Sequence, residues 1–392
     1  MDSPLLNSAV QDFITDSLQA NFTKIALMKN PFPDIRWNDI LNQIASKNKA
    51  KDKLPTWFSH KYIIYPSKIS IEQTSSERAA KYKASLIDGV TLIDLTGGFG
   101  IDDYYFAQKF NKVVHCEINE ELSKIVRHNY QILNQRNIEC YQGDSMDILK
   151  KLNLKWSWIY IDPSRRSDVK GKVFMLKDCL PNVPAHLEDY FQYTDKILIK
   201  TAPILDITAG LSELRFVKKI HCIAIDNEVK ELLWEIEKDY SGKTGLNAVS
   251  LTKDKTEIFS VNYGETDVKA NYSLPKKYLY EPNAAMMKTG AFEAIGVTYD
   301  IEKLHQHSHL YTSETEIEFP GRKFVIKETF PFEKATVKKH LEGKKINITV
   351  RNFPLSVDDI RKKWKIIDGG NEYCFFTTDV NNEKIVLLCE KI

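Results

Sequence analysis

Short apolar runs alternate with amphipathic segments between residues 90 and 225. The apolar runs cover residues 91–94, 112–117, 138–141, 158–162, 196–200 and 221–225. Segments with helical spacing, such as 120–135, lie between most of them. This alternation predicts an α/β fold with a parallel, doubly wound sheet and buried central strands. Two later runs, 232–236 and 257–261, fit antiparallel strands that close the sheet.

The N-terminal segment has a different pattern. Apolar residues recur at helical spacing over residues 1 to about 50, which predicts helices there. Residues 51–70 are rich in proline and aromatic side chains and indicate a connector with strand-like pieces. Thr74-Ser75-Ser76-Glu77 then matches a capping box, which predicts a helix over about 75–87.

A polar seam at residues 262–271 separates the sheet region from the C-terminal part. Residues 272–318 fit a small α/β unit with a helix over 282–295. The remainder is predicted as mostly strands, with candidates at 323–327, 345–350, 373–378 and 384–389. We therefore predict an N-terminal helical segment, a central sheet domain and two small C-terminal units, with bounds at 1–72, 73–265, 272–318 and 319–392.

Composition narrows the class of protein without selecting a function. The 392 residues are 43% hydrophobic and 28% charged with a net charge of +2, an ordinary globular balance that is neutral on nucleic-acid binding. The six cysteines have no metal-ligand or CxxC spacing and are expected to be reduced. No apolar stretch reaches membrane-spanning length, and the N-terminus does not resemble a signal peptide. These features predict a cytoplasmic protein.

A glycine-rich turn follows the first predicted strand, at Asp94-Leu95-Thr96-Gly97-Gly98-Phe99-Gly100. Such turns hold either a dinucleotide or S-adenosylmethionine. The dinucleotide fingerprint requires a third glycine where this chain has Asp103, whose charge would face a pyrophosphate. An acidic strand end before the turn instead suits a cationic amino-acid cofactor, with Asp94 holding its ammonium group. We therefore favour S-adenosylmethionine, with Asp94, Thr96, Gly98 and Gly100 as its ligands.

Two further strand ends carry polar side chains that fit the same cofactor. Glu117 ends the second strand, where a carboxylate would accept both ribose hydroxyls. Asp144 and Ser145 end the third, where Asp144 could accept from the adenine amino group. The simpler alternatives are an exposed strand-end glutamate and an aspartate that caps a helix.

The fourth strand ends in Asp162-Pro163-Ser164-Arg165-Arg166. This position resembles the Asp-Pro-Pro-Tyr turn of amino-group methyltransferases, in which the acid and a backbone carbonyl orient the target amine. Ser164 replaces the second proline, and Arg165 replaces the aromatic residue that stacks on the base. We predict Asp162, Pro163, Ser164 and Arg165 as catalytic residues. Alternatively, the arginines form local ion pairs with neighbouring aspartates.

Taken together, the motifs resemble those of bacterial class I methyltransferases that carry a C-terminal THUMP-like domain, often preceded by a small ferredoxin-like segment. The stretches that carry the resemblance are 72–77, 94–102, 162–166, 281–288, 309–313 and 351–354. The resemblance implies a methyltransferase core with an RNA-binding appendage. The resemblance does not identify the molecule that accepts the methyl group.

The last part of the chain is locally basic. Residues 320–366 contain thirteen Lys or Arg and five acids, which gives this stretch a net charge of +8. Because the whole chain has a net charge of +2, the remaining residues have a net charge of −6. Aromatic residues are interleaved with the basic ones, a pattern typical of nucleic-acid contact. A solvated domain whose aromatic residues form its core would show the same pattern. We predict that RNA binds at Arg166, Arg322, Lys323, Arg351, Arg361, Lys362 and Lys363. His305, His307 and His309 alternate without a fourth ligand, so no metal is expected.

These predictions combine into direct in-line transfer of a methyl group to an acceptor nitrogen, most simply an exocyclic amine of an RNA base. Two alternatives stay open. The acceptor could be a protein or small molecule, or the chain could be an RNA-binding protein that has lost catalysis.

Overall fold

The chain folds into two units, described over residues 3–165, 175–265 and 268–392 of the computed structural model. The first unit comprises Met1–Lys219 and Glu231–Gly242, and the second comprises Ile220–Lys230 and Lys243–Ile392. Strands β8 (Val217–Ile225) and β9 (Glu228–Glu237) each have residues in both units.

A mostly parallel sheet forms the centre of the first unit. Six of its nine strands run in the order β3-β2-β1-β4-β7-β9, and among these six only β9 is antiparallel to its neighbour. The other bounds are β1 (Gly89–Asp94), β2 (Phe110–Glu117), β3 (Ile138–Gln142), β4 (Trp158–Ile161) and β7 (Lys196–Thr201), with the two-residue strands β5 (Ser164–Arg165) and β6 (Cys179–Leu180) outside the sheet. The predicted doubly wound α/β fold is confirmed, and β4 is buried throughout because both of its faces are covered.

Helices precede the sheet and connect its strands. Their bounds are α1 (Ser8–Asp16), α2 (Phe22–Ala26), α3 (Trp37–Lys53), α4 (Pro55–Phe58), α5 (Lys68–Gln73), α6 (Glu77–Leu86), α7 (Ile101–Phe106), α8 (Glu120–Ile132), α9 (Ser145–Leu152), α10 (Val183–Tyr190) and α11 (Ile207–Glu213). Short 3-10 turns lie at Pro4–Leu6, Ser17–Gln19 and Leu176–Asp178. The strand-like pieces predicted for residues 51–70 were wrong. Trp57 is buried from helix α4, and the buried residues Ile64 and Tyr65 pair their backbone amides with the side chains of Asn129 and Gln43 rather than with a strand.

The capping box predicted at Thr74 was also wrong. The N-cap of α6 is Ser76, whose hydroxyl accepts a hydrogen bond from the Ala79 amide at 3.2 Å. Glu77 does not return to the cap. Its carboxylate instead accepts hydrogen bonds from Thr56 and, at 2.6 Å, from the Tyr105 hydroxyl.

A seven-stranded sheet dominates the second unit, in the order β13-β14-β12-β15-β18-β17-β16. Its bounds are β12 (Tyr278–Pro282), β13 (Glu302–Lys303), β14 (Tyr311–Ser313), β15 (Gly321–Pro331), β16 (Asn347–Val350), β17 (Glu372–Thr378) and β18 (Lys384–Lys391). Strands β10 (Gly245–Leu251) and β11 (Thr256–Asn262) form an antiparallel pair in the same unit. The helices are α12 (Ala284–Thr289), α13 (Phe292–Tyr299), α14 (Lys334–Leu341) and α15 (Val357–Trp364).

The single helix predicted over 282–295 is two helices. Gly290 ends α12 with a backbone φ of 70°, a left-handed conformation that favours glycine. Helix α13 then starts at Phe292.

The aromatic residues of the basic region belong to the core of the second unit. Phe324, Phe330 and Trp364 are buried, and Phe332 and Phe353 pack against the cluster that contains Phe330 and Trp364. For the aromatic residues, the structure therefore supports the alternative in which they form the core of the domain. All six cysteines are reduced, and no helix among the described residues has the length and hydrophobicity of a membrane span.

Candidate active site

The strand order reverses between β1 and β4, which places a crevice at the carboxyl ends of these two strands. Ligands of open α/β sheets bind at such a switch point. Strand β1 ends in Asp94, directly opposite Tyr160 of β4, and Asp162 follows β4. The two loops that the sequence singled out therefore start side by side.

Thr96 joins these loops. Its amide and hydroxyl both donate to Asp94 Oδ1, at 2.7 and 3.0 Å. The Thr96 hydroxyl oxygen in turn accepts a hydrogen bond from the Asp162 amide at 2.6 Å. The start of the reacting loop is thus fixed against the cofactor loop by one side chain.

The glycine-rich turn also reaches β2. The Gly98 amide donates to Glu117 Oε2 at 3.0 Å, and the Asn119 amide donates to Oε1 at 2.7 Å. Gly98 has a φ of 55°, and among the described residues the Thr96 carbonyl oxygen, at 3.7 Å, is the one atom within 4 Å of the place that a Cβ would take. The backbone at Gly98 therefore faces open space beside a fixed carboxylate, which fits a ligand with hydroxyl groups.

Acidic side chains lie buried beneath the turn. Asp94 is 2% exposed, and burial followed by the charge of Asp103 raises the pKa of its carboxyl well above the usual value. Asp103 is fully buried and lies 2.7 Å from His115 Nδ1, and its pKa is also raised, chiefly by burial. Asp103 therefore does not face a ligand, and the expectation that it would oppose a pyrophosphate was wrong. A cation above the turn would meet this acidic layer.

Asp144 and Ser145 stand at the third strand end. Asp144 is the N-cap of α9, and its Oδ1 accepts from the amides of Met146 and Asp147 at 2.9 and 3.1 Å. It is exposed and Ser145 is half-buried. The cap uses one carboxylate oxygen, so Asp144 combines a structural role with the position predicted for an adenine contact.

Asp162 forms an ion pair with Lys200 of β7 through Oδ2. Burial opposes the charged form of Lys200, but Asp162, Glu231 and Asp102 outweigh it and raise the pKa of the ammonium group. The Asp162 side chain is 36% exposed. The structure thus presents a carboxylate with one oxygen held by a cation.

The rest of the reacting loop is partly described. Pro163 is buried and Ser164 is exposed. The backbone of Ser164 and Arg165 pairs with that of Leu180 and Cys179 as β5 and β6. Arg166, predicted to bind RNA, lies outside the described residues.

The sequence interpretation missed a buried ionic network behind Asp162. Lys83 is fully buried, with its ammonium nitrogen 2.9 Å from Asp102 Oδ1 and 3.2 Å from Glu231 Oε1. Ser75 and Tyr160 both donate to Asp102 Oδ2, at 2.9 and 2.8 Å. Burial works against the charge of Asp102, but Lys83 holds the pKa of that carboxyl below its usual value. A charged residue among the apolar positions of α6 is the sequence signal that could have revealed Lys83.

The predicted RNA-binding residues of the second unit have different surroundings. Arg322 and Arg351 both pair with Glu281. Lys323 pairs with Glu316 and Glu318, at 2.8 and 3.7 Å, and Arg361 pairs with Asp368. Lys362 and Lys363 are exposed in the last turn of α15.

The three histidines lie in a loop rather than on one face of a strand. His305 hydrogen bonds Asn382 and Asn352. His309 stacks on Phe292 with 3.6 Å between ring centroids, and burial lowers its pKa to about 4. Over the described residues, the structure contains no group of three or more His, Cys, Asp or Glu that could hold a metal ion.

Known proteins resemble both parts of the chain. A ferredoxin-like domain profile matches residues 278–320, and a profile described as THUMP domain-like matches residues 321–391. The crystal structure of a protein from Porphyromonas gingivalis W83, assigned as a methyltransferase, is 30% identical in sequence. That match covers 98% of this chain and 97% of the other, with a TM-score of 0.86.

A curated relative from Clostridium tetani (strain Massachusetts / E88) is named "Uncharacterized RNA methyltransferase". It is 29% identical over 142 residues, which are 33% of this chain. The chain spans only 30% of the length of that relative.

Proposed function

The chain belongs to the family of the Porphyromonas gingivalis methyltransferase, and we propose that it methylates an amino nitrogen of an RNA base with S-adenosylmethionine. The observation that carries the proposal is the hydrogen bond from the Asp162 amide to Thr96. It fixes the loop that would orient the acceptor against the loop that would hold the methyl donor.

The residues around the glycine-rich turn fit S-adenosylmethionine. Glu117 would accept the ribose hydroxyls, since both of its oxygens are already oriented by backbone amides. Asp94 would hold the ammonium group of the cofactor's amino acid, and that cation would stabilise the charged form of its buried carboxyl, whose pKa is raised in its absence. Gly98 would allow close approach of the backbone to the cofactor, whereas at Gly100 the place of a side chain is taken by Tyr130, so that glycine is required by packing of the turn. Asp144 and Ser145 would contact the adenine. When bound, the cofactor supplies an electrophilic methyl group on a sulfonium.

Asp162 would orient the acceptor. An exocyclic base amine is a weak nucleophile because its lone pair is delocalised into the ring, so a protein helps by positioning it and polarising its N–H bonds. Lys200 holds Asp162 Oδ2, which leaves Oδ1 to accept from the amine. The Pro163 carbonyl would accept the second N–H. Ser164 and Arg165 follow in the same acceptor loop, at the positions where the motif it resembles has a proline and an aromatic residue.

RNA is the acceptor that the second unit favours. The surplus of eight positive charges between residues 320 and 366 is concentrated there, and electrostatic attraction to phosphates provides much of the affinity of RNA-binding proteins. The THUMP domain-like match covers the same region.

The test is transfer of labelled methyl groups from S-adenosylmethionine to total RNA from a bacterial strain that lacks this protein. We expect label in one RNA species, and nucleoside digestion would identify the base. Asp162→Ala should abolish transfer and keep cofactor affinity within a few-fold, because it removes the acceptor of the amine N–H and leaves the cofactor loop intact. Label in protein but not in RNA would reject the RNA acceptor. Cofactor and RNA binding without any transfer would favour a protein that has lost catalysis.

A further inference from the structure

The second unit contains a cavity of about 460 Å³ that the proposed reaction does not use. Its lining includes Asn227, Glu281, Pro282, Ala284, Met287, Arg322 and Arg351, all of which belong to the second unit. Two of the stretches that carry the family resemblance, 281–288 and 351–354, contribute to this lining. The volume lies within the range typical of small-ligand sites.

Two arginines share one carboxylate on the wall of this cavity. Glu281 of β12 lies opposite Arg322 of β15 in the sheet, and its side chain is only 4% exposed. Arg322 pairs with Glu281 Oε2, and Arg351 Nη2 lies 2.6 Å from Oε1. Because both carboxylate oxygens are used, Glu281 orients both guanidinium groups before any ligand arrives.

The arginines retain charge and donors that Glu281 does not satisfy. Two cations against one anion leave the cluster with one net positive charge. The side chains of Arg322 and Arg351 are 34% and 38% exposed, so both remain accessible. The Thr349 hydroxyl and the Val350 carbonyl accept from the arginines but carry no charge, so the excess positive charge is not balanced within the cluster.

We infer that this cavity binds a phosphate group of an RNA chain. Guanidinium groups held in fixed positions match the geometry of phosphate oxygens and bind them through paired hydrogen bonds. Pro282, Ala284 and Met287 provide an apolar wall for the adjoining sugar or base. The choice of RNA over a free nucleotide rests on the proposed function.

Arg351→Gln tests the site in the full-length protein. We expect affinity for total bacterial RNA at low salt to fall about tenfold, and the slope of log affinity against log salt to shrink by about 0.7 to 0.9, the value of one lost phosphate contact. The matched control is Arg215→Gln, since Arg215 of the first unit also pairs with a glutamate, Glu188. Equal affinities and slopes in the two variants would overturn the inference.

Arg351→Lys separates loss of the site from loss of folding. Lysine keeps the positive charge beside Glu281 but not the planar fork, so we expect reduced RNA affinity with the salt slope of the wild type. The thermal unfolding midpoint should stay near that of the wild type. A slope as low as that of Arg351→Gln in this correctly folded variant would contradict the assignment of a charge contact.

Adenosine 5′-monophosphate and adenosine distinguish the sources of the phosphate. By calorimetry we expect weak binding of the monophosphate at this cavity, no binding of adenosine there, and loss of monophosphate binding in Arg351→Gln. Monophosphate binding that depends on Arg351, together with an unchanged RNA slope, would assign the cavity to a free nucleotide and overturn the RNA inference. RNA binding through Arg351 without methyl transfer would reject the proposed function alone.

Discussion

Lys83 and Lys200 are two cations behind the candidate active site, with different exposure. Lys83 is fully buried between Asp102 and Glu231, whereas Lys200 reaches Asp162 at the surface of the crevice. Lysine is costly to bury because its charge loses hydration, so the two carboxylates and Ser75 must compensate at Lys83. Loss of any one charge in this network would therefore leave a buried charge without its partner.

Lys83→Met should strongly destabilise the protein. Removal of the ammonium group leaves Asp102 and Glu231 buried without their counter-ion, at a cost of about 3 to 5 kcal/mol in the free energy of unfolding. Urea denaturation measures this change. Lys124→Met, on α8, breaks an ion pair with Glu120 in which the side chains are 64% and 69% exposed, and should cost less than about 1 kcal/mol. Similar losses in both variants would show that the network contributes little to stability.

The raised pKa of Asp94 predicts that cofactor affinity depends on pH. Burial and Asp103 favour the neutral carboxyl, while His115 and the Thr96 amide favour the charged one. A bound cation stabilises the carboxylate, so below the raised pKa binding must release a proton, and affinity increases as the pH rises. Calorimetry in two buffers with different ionisation enthalpies would count that proton. Asp94→Asn should bind more weakly, with no proton release from this site. Affinity of the wild type that is constant from mildly acidic to mildly basic pH would contradict the interpretation.

At the scale of elements, the buried strands of the parallel sheet could be predicted and the start of α6 could not. Apolar runs identify buried strands because burial on both faces is a property of the run itself. The choice between Thr74, Ser75 and Ser76 as the N-cap depends instead on distant partners. Ser75 hydrogen bonds Asp102 and Lys83, and Glu77 accepts a hydrogen bond from Tyr105, so neither takes part in the cap. The N-cap is therefore Ser76.

Ser76→Ala tests this assignment. Loss of the N-cap hydroxyl leaves the Ala79 amide without its acceptor and should lower the free energy of unfolding by about 1 kcal/mol. Thr74→Ala, at the position that the sequence suggested, should have less than half that effect. Urea denaturation of the two variants decides between the positions, and a larger loss at Thr74 would restore the capping box.

At the scale of the whole molecule, the sequence predicted the class of fold and the loops of the candidate site. It did not predict which basic residues remain available, because that depends on neighbours far away in sequence. Lys323 is neutralised by Glu316 and Glu318, and Arg351 meets Glu281 seventy positions away. The four-part division of the chain stays a prediction, although β12 and β15 join its two C-terminal parts in one sheet.

Lys362 and Lys363 are the exposed part of the predicted RNA surface, and their neutralisation tests whether charge in the second unit binds RNA. Both lie in the last turn of α15, and Lys150 and Lys151 occupy the last turn of α9 in the first unit. The two pairs therefore share exposure and helical position, and both should favour the nearby helix C-terminus. Converting 362 and 363 to Gln should reduce the salt slope of RNA binding by up to about 1.4, at about 0.7 for each lost contact with a single strand. The same change at 150 and 151 should leave the slope unaltered. If filter binding instead gives equal salt slopes for the two double variants, RNA affinity reflects the overall charge of the protein, and α15 is not a specific RNA-binding surface.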